Sequence, residues 1–283
     1  TTLTYDANGN LTNDGVNTYQ WDARNRLIGM SGGTTASFRY DALGRRVSKT
    51  LSTQSSALST GFLYDGNDIV AEIGGGAIGA NYLRSLNIDE PFIRQTGTGN
   101  EFYHTDALGS SLALSNAVGG SATTYSYEPF GKTTVAGASA NAFQYTGREA
   151  DGSGLLYYRA RYYQPRLQRF ISEDPIGFRG RQMNLYGYVR NAPTIYIDPY
   201  GLESVQFGRN SNKNSTQLPF APKDPWYVPP ADNSARQNLD DMRKTPDIGP
   251  QCSPTGRTII DAWKGDPDRI GKSDWFIGFL WEF

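Results

Sequence analysis

Cysteine and histidine are nearly missing from this chain of 283 residues, which contains one of each, Cys252 and His104. A single cysteine cannot form a disulfide within the chain, and the two residues are too few for a zinc site of cysteine and histidine. Serine or cysteine nucleophiles that need a histidine base are also disfavoured, because His104 is the only imidazole and Cys252 lies far along the chain, beyond residue 202. We predict no metal site and no cofactor, although these counts do not exclude calcium bound by carboxylates.

The chain also lacks an excess of either charge and any long apolar run. It has 27 Lys and Arg against 28 Asp and Glu, so the surplus of positive charge that binds phosphates irrespective of sequence is missing. Nucleic acid is therefore not predicted as a partner of the repeats described next. The run from Trp275 to Trp281 is far shorter than the roughly 20 residues of a membrane helix, so no transmembrane segment is predicted.

One short unit recurs in the chain: an aromatic residue, then aspartate, then a turn that contains glycine or asparagine. The clear copies begin at Tyr5, Trp21 and Tyr40. Looser copies occupy residues 64–67, 104–109 and 127–131. The pattern is already under way at the first residues, so we expect the chain to be part of a longer protein whose targeting signal lies upstream.

Each copy is predicted to be a β-hairpin. The aspartate closes the turn, glycine or asparagine supplies a positive φ, and the alternation at residues 37–40 is typical of a strand. Stacked hairpins can bury an aromatic face that a single hairpin cannot, so we predict a mainly β fold, with stacked antiparallel hairpins forming part of a β-shell. The repeat aromatics and aspartates are interpreted as packing and turn residues. A solvated face is predicted for the basic residues Arg39, Arg45, Arg46 and Lys49.

The composition changes after Leu202. The residues beyond it hold nine of the fifteen prolines and four of the five tryptophans, and the repeated unit disappears. We expect a boundary there, followed by an irregular tail at residues 203–283. Within this tail, residues 211–230 are predicted to be extended, and short helices are predicted at 233–244 and 258–264.

A motif-rich stretch precedes this boundary. Residues 145–202 read YTGREADGSGLLYYRARYYQPRLQRFISEDPIGFRGRQMNLYGYVRNAPTIYIDPYGL. The stretch resembles the Rhs repeat-associated core domain, found near the carboxyl-terminal end of Rhs/YD-repeat polymorphic toxins and of the C component of insecticidal Tc toxin complexes. The matching motifs, in the family's order, include Gly147-Arg148-Glu149, Leu156–Tyr163, Asn184-Leu185-Tyr186 and Asp198–Leu202.

The resemblance implies three regions: a repeat shell at residues 1–140, a core domain at 141–202 that closes one end of the shell, and a variable tail at 203–283 as enclosed cargo. It also implies that the core domain cleaves its own chain after the Leu of the DPxGL motif, which here is the bond between Leu202 and Glu203. The residues that carry this activity in the family correspond to Arg161, Asp174 and Asp198, and the spacing of the first two agrees with the family.

Residue chemistry offers separate support for an acid pair. Two neighbouring carboxylates cannot both ionise cheaply, so one keeps a proton while the other acts as a base towards water, as in aspartic proteases. Arg161 could hold one carboxylate ionised or stabilise an oxyanion. The alternatives are structural: Asp174 and Asp198 each precede proline and could simply start turns, and Arg161 could pack on an aromatic ring. The chain departs from the family pattern at residues 180–183, a bulkier connection than the usual Gly-Gly turn.

The predicted function is therefore that of the carboxyl-terminal part of an Rhs-type polymorphic toxin, secreted or delivered by a bacterial toxin system, that cleaves itself like an aspartyl protease. Its own tail is the predicted enclosed partner, and an immunity protein, a chaperone or a secretion component are further candidates. Two alternatives remain: a non-enzymatic structural shell or surface protein with an uncleaved tail, and a tail that is a histidine-independent nuclease or transferase toxin.

Overall fold

The computed structural model describes residues 2–53 and 55–206, which belong to one compact unit. The extended segment and the two helices predicted beyond residue 206 lie outside the described residues. Within the described part, the secondary structure consists of β-strands and three short 3-10 turns. The prediction of a mainly β fold is confirmed.

Fourteen strands form one antiparallel sheet in which every strand pairs with the next one along the chain. They are β1 (Thr4–Tyr5), β2 (Leu11–Asn13), β3 (Asn17–Trp21), β4 (Leu27–Gly32), β5 (Thr35–Tyr40), β6 (Arg46–Ser52), β7 (Ala57–Asp65), β8 (Asp68–Gly74), β9 (Ala77–Arg84), β10 (Pro91–Thr96), β11 (Gly99–Thr105), β12 (Ser111–Ser115), β13 (Ser121–Tyr127) and β14 (Thr133–Gly137). We call this the repeat sheet.

The repeated units form the turns of this sheet. In the first unit, Asp6 Oδ1 accepts hydrogen bonds from the backbone N–H groups of Asn8 and Asn10, at 2.9 and 2.8 Å. Gly9 adopts φ +77° and its N–H bonds to the Asp6 carbonyl. The pairing register shifts at Tyr5, just before the aspartate, as it does at the corresponding residues of later units. The hairpin prediction is confirmed, because each unit forms the turn between two paired antiparallel strands. Each turn is stabilised by hydrogen bonds among its own residues.

A second, four-stranded antiparallel sheet follows, and a two-stranded sheet ends the described chain. The strands are β15 (Glu149–Ala150), β16 (Leu156–Tyr158), β17 (Arg161–Gln164), β18 (Arg169–Phe170), β19 (Tyr196–Ile197) and β20 (Val205–Gln206). The 3-10 turns span Tyr145–Gly147, Gly177–Gly180 and Val189–Asn191. We call residues 141–206 the core region.

Aromatic side chains join the repeat sheet to the core region. Phe38 of β5 packs on Tyr162 of β17, with ring centroids 5.1 Å apart, and both belong to one buried apolar cluster. Within the core region, Tyr163 and Tyr188 are fully buried with centroids 4.4 Å apart. Burial of aromatic surface on this scale is a major source of stability for a sheet with one covered face.

The prediction of a solvated basic face is wrong for Lys49, whose side chain is 12% exposed and pairs with the buried Asp151 at 3.5 Å, and for Arg46. Its side chain is completely buried and forms ion pairs with Asp151 and with Glu149, the latter at 3.1 Å. The guanidinium also lies 4.2 Å from the centre of the Tyr157 ring. Alternate residues of a strand face opposite sides, so Arg46 points into the core region, whereas Arg45 bonds Asp41 in its own exposed turn.

Candidate active site

The three residues predicted from sequence lie together in the core region. Arg161 begins β17, Asp174 follows β18, and Asp198 follows β19. Arg161 Nη2 lies 2.9 Å from Asp174 Oδ2 and 3.7 Å from Asp198 Oδ2. All three residues are more than nine-tenths buried. The fold thus places two carboxylates around one guanidinium, away from solvent.

Both aspartates start turns of the kind seen in the repeats. Asp174 Oδ1 accepts the N–H of Ile176 at 2.9 Å, and its carbonyl accepts the N–H of Gly177. Asp198 Oδ1 accepts the N–H of Leu202 at 2.9 Å. The turn interpretation is therefore correct for both residues, and it is compatible with chemistry because each turn occupies only Oδ1. Each Oδ2 faces Arg161.

Arg161 is held by three further groups. Its Nε donates to the carbonyl of Gly201 at 2.5 Å, and Nη1 donates to the carbonyl of Leu185 at 2.9 Å. The guanidinium lies 3.7 Å from the centre of the Phe170 ring, so the predicted aromatic packing is present as well. Among the described residues, neither Arg161 Nη2 nor Asp198 Oδ2 has an aligned hydrogen bond. These two buried atoms face each other at 3.7 Å, and Nη2 also forms the ion pair with Asp174.

The bond between Leu202 and Glu203 borders this cluster. A Cβ placed on Gly180 would lie 2.8 Å from Asp174 Oδ2 and 2.9 Å from the carbonyl oxygen of Leu202. The carboxylate and the carbonyl oxygen therefore flank one small space that only glycine leaves open. Glu203 follows, with its carboxylate 3.6 Å from Arg181 Nε. The unusual connection at residues 180–183 thus lies against the predicted cleavage site.

Burial dominates the electrostatics of the two acids. It raises the pKa of Asp198 to about 6, against the opposing effects of Arg161 and the Leu202 N–H, and the charge of Asp174 adds to the rise. Burial also raises the pKa of Asp174 above its ordinary value, against the opposing Arg161 charge, and Glu203 adds to it. This arrangement favours a single proton on the two carboxyl groups. The proton lies mainly on Asp198, because Arg161 is nearer to Asp174 and favours the charged form of Asp174.

Sequence reasoning missed two parts of this site. The sequence marks Gly180 only as part of an unusual connection, and nothing in the pattern places this glycine beside Asp174. Leu185 contributes a backbone carbonyl, which no sequence pattern identifies. Within residues 2–53 and 55–206, no group of three or more His, Cys, Asp and Glu side chains could hold a metal ion. None of the helical segments described is long and apolar enough to cross a membrane.

Comparisons with known proteins show the family of the chain. No model of a known protein family matches the chain. The tRNA nuclease WapA of Bacillus subtilis (strain 168) is 33% identical over 224 residues, covering 70% of this chain and 9% of WapA. The toxin subunit YenC1 of Yersinia entomophaga is 30% identical over 228 residues, covering 69% of this chain and 23% of YenC1. The chain belongs to the Rhs/YD-repeat family of polymorphic toxins.

A solved structure supports the same family fold. The crystal structure of TcdB2-TccC3-TEV superposes on 70% of this chain and 11% of that chain, with a TM-score of 0.59 and 24% sequence identity. The repeat sheet of this Rhs/YD-repeat chain thus matches the shell fold of a Tc toxin. The chain spans less than a quarter of the length of each of these relatives.

Proposed function

We propose that this chain is the carboxyl-terminal part of an Rhs-type toxin and that its core region cuts the chain between Leu202 and Glu203. One observation carries the proposal: in the buried cluster of Arg161, Asp174 and Asp198, Asp174 Oδ2 borders the same small space beside Gly180 as the carbonyl oxygen of Leu202. Acid pairs of this kind hydrolyse peptide bonds in aspartic proteases without a metal or a covalent intermediate.

The proposed reaction begins with ionised Asp174 and protonated Asp198. Asp174 is the nearer carboxylate to Arg161, which favours its charged form, whereas Asp198 has the pKa of about 6. Asp174 Oδ2 takes a proton from a water molecule, whose oxygen bonds to the carbonyl carbon of Leu202. Asp198 then gives its proton to the nitrogen of Glu203 as the carbon–nitrogen bond breaks. The products are a carboxyl group on Leu202 and an amine on Glu203.

Arg161 has two tasks in this proposal. Its contacts to the carbonyls of Gly201 and Leu185 hold the guanidinium in place. Nη2, which has no aligned hydrogen bond among the described residues, then keeps Asp174 ionised and faces the negative charge that develops on the Leu202 oxygen. Fixed donors of this kind stabilise an oxyanion strongly because they need no reorganisation during the reaction.

Residues 203–283 are the proposed released effector. The two relatives share the matched part with this chain but carry different names, a tRNA nuclease and a toxin subunit. A shared part beside differing activities suits a common processing and enclosing module with variable cargo. We further propose that a bacterial toxin system delivers the effector and that an immunity protein neutralises it.

Intact mass after expression tests the self-cleavage directly. The parent chain is expected to separate into residues 1–202 and 203–283, whereas Asp174→Asn and Asp198→Asn are expected to stay at 31.2 kDa. Asparagine keeps the size of aspartate but cannot exchange the proton, so cleavage falls by at least about 100-fold. A folded parent that stays uncut contradicts the proposal and supports a non-enzymatic shell.

The pH dependence of the cleavage rate is a separate expectation. The rate is expected to fall as the pH rises past about 6, because Asp198 then loses the proton that it donates. It is also expected to fall on the acid side when Asp174, whose pKa is raised above 3.8, takes up a proton. The first-order rate of fragment release, followed from pH 4 to 8 with circular dichroism as the folding control, checks both limbs. A rate that increases from pH 6 to 8 would contradict catalysis by this acid pair.

A further inference from the structure

We propose that Arg159 is a positioning residue for the cleavage, because it ties the loop that carries the cleaved bond to two acidic side chains of the repeat sheet. The inference rests on the proposed self-cleavage and concerns the loop Asp198–Leu202, which we call the cleavage loop. Arg159 lies in the tight turn between β16 and β17, two residues before Arg161.

Three consecutive carbonyl groups of the cleavage loop are held from this turn. Arg159 Nη1 donates to the carbonyl of Pro199. The N–H of Ala160 donates to the carbonyl of Tyr200 at 3.2 Å. Arg161 Nε donates to the carbonyl of Gly201 at 2.5 Å. The next carbonyl is that of Leu202, so its place beside Asp174 depends on these three contacts.

Of the three residues that hold the cleavage loop, only Arg159 also pairs with acidic side chains of the repeat sheet. Its Nη2 lies 2.9 Å from Asp68 Oδ1 at the start of β8 and 2.7 Å from Asp89 Oδ1 in the connection between β9 and β10. Its Nε donates to the carbonyl of Asn67 at 3.2 Å. The guanidinium also lies 5.5 Å from the centre of the Tyr200 ring. Every nitrogen of the Arg159 side chain therefore has a hydrogen-bond partner, and these partners lie in both the cleavage loop and the repeat sheet.

The acidic partners are themselves fixed. Asp89 also pairs with the buried Arg148, and although burial raises the pKa of Asp89, Arg148 and Arg159 together lower it below its ordinary value. Both Arg159 and Asp89 adopt a positive φ, +57° and +62°, which side-chain-bearing residues rarely hold without support from their surroundings. The contact between Asp89 and Arg159 therefore joins two rigidly defined backbones.

This arrangement makes the chemistry depend on the repeat sheet. A shift of about 1 Å in a reacting group can cost about 100-fold in rate. When the connections that hold Asp68 and Asp89 are formed, Arg159 holds Pro199 and the Leu202 carbonyl faces Asp174. A repeat sheet that is incomplete at β8–β10 would leave the cleavage loop without this support, so the effector would be released only after the sheet has folded.

The test measures first-order cleavage rates and fragment masses of the full chain and its variants. Arg159→Met is expected to cleave at least about tenfold more slowly, or to cut at additional bonds, because the loop loses its register. Asp89→Asn keeps the bond from Arg159 to Pro199 but weakens its anchor, so a smaller loss is expected, and the double variant should be no slower than Arg159→Met alone. Arg159→Lys should recover only part of the rate, since an ammonium cannot make the divided contacts.

Arg94→Met provides the matched control. Arg94 has a similarly covered side chain and pairs with Glu101 within the repeat sheet at 2.7 Å, with no hydrogen bond or ion pair to the cleavage loop. It is expected to cleave at the parental rate. Melting temperatures, measured in the uncut Asp174→Asn background, show whether the Arg159 and Arg94 changes cost similar stability. If both variants slow cleavage in proportion to their loss of stability, Arg159 is merely structural and the inference is overturned.

Two further outcomes distinguish failure of the proposed self-cleavage from failure of the proposed role of Arg159. An uncut parent contradicts the proposed function itself, whatever the variants do. A parent that cuts, together with Arg159→Met and Asp89→Asn variants that cut at the same rate and the same bond, leaves self-cleavage intact and overturns only the role of Arg159. If Arg159→Met does not fold, the rates of Asp89→Asn and Arg159→Lys decide the question.

Discussion

Replacing Arg46 by methionine is expected to lower the free energy of unfolding by about 2–3 kcal/mol. Arg46 and Asp151 have no exposed side-chain surface, and Glu149 is nearly as well covered. The substitution removes the buried guanidinium, so that Asp151 keeps only Lys49, at 3.5 Å, and Glu149 keeps only Arg148, at 3.1 Å. Loss of the central partner of buried carboxylates is more costly than loss of a surface pair. It also removes the contact with the Tyr157 ring.

Urea unfolding of the chain in the uncut Asp174→Asn background measures this effect. Arg45→Met is the matched control, because Arg45 is the preceding residue and its ion pair with Asp41 is partly exposed. The control should change the free energy by no more than about 1 kcal/mol, since exposed pairs contribute little. Equal losses for the two variants would mean that Arg46 does not connect the repeat sheet to the core region in solution.

Replacing Gly180 by alanine is expected to reduce self-cleavage by about 100-fold while the fold is retained. The added methyl group would stand 2.8 Å from Asp174 Oδ2 and 2.9 Å from the Leu202 oxygen, closer than real carbon atoms approach such neighbours. Asp174 is held by its turn and by Arg161, so the Leu202 carbonyl has to move away from it. Gly180 does not have a positive φ, so alanine introduces no backbone strain of its own.

Gly74→Ala serves as the control, because a Cβ there meets nothing within 4 Å and its φ is also ordinary. It is expected to cleave at the parental rate. The measurement is the fraction of intact chain over time by mass spectrometry, with the melting temperature as a check on folding. Parental cleavage by Gly180→Ala would show that the Leu202 carbonyl is not attacked beside Asp174.

The repeat hairpins can be predicted from the amino-acid pattern, because each turn depends on residues within a few positions of one another. Asp6, Asn8 and Gly9 carry the geometry of their turn locally, so the pattern reveals it. The resemblance to the Rhs core domain also predicted which residues belong to the candidate site. Arg161, Asp174 and Asp198 lie together in the structure as that resemblance requires.

Which charges are buried and which groups surround the cleavage loop depend on how the sheets pack. Arg46 and Arg45 are neighbours of the same type in the sequence, yet one pairs with Asp151 across the domain and the other with Asp41 in its own turn. Likewise, Arg159 meets Asp89 only because the repeat sheet packs against the core region. Contacts between residues so far apart in the chain depend on how whole sheets pack, and no local pattern records that packing.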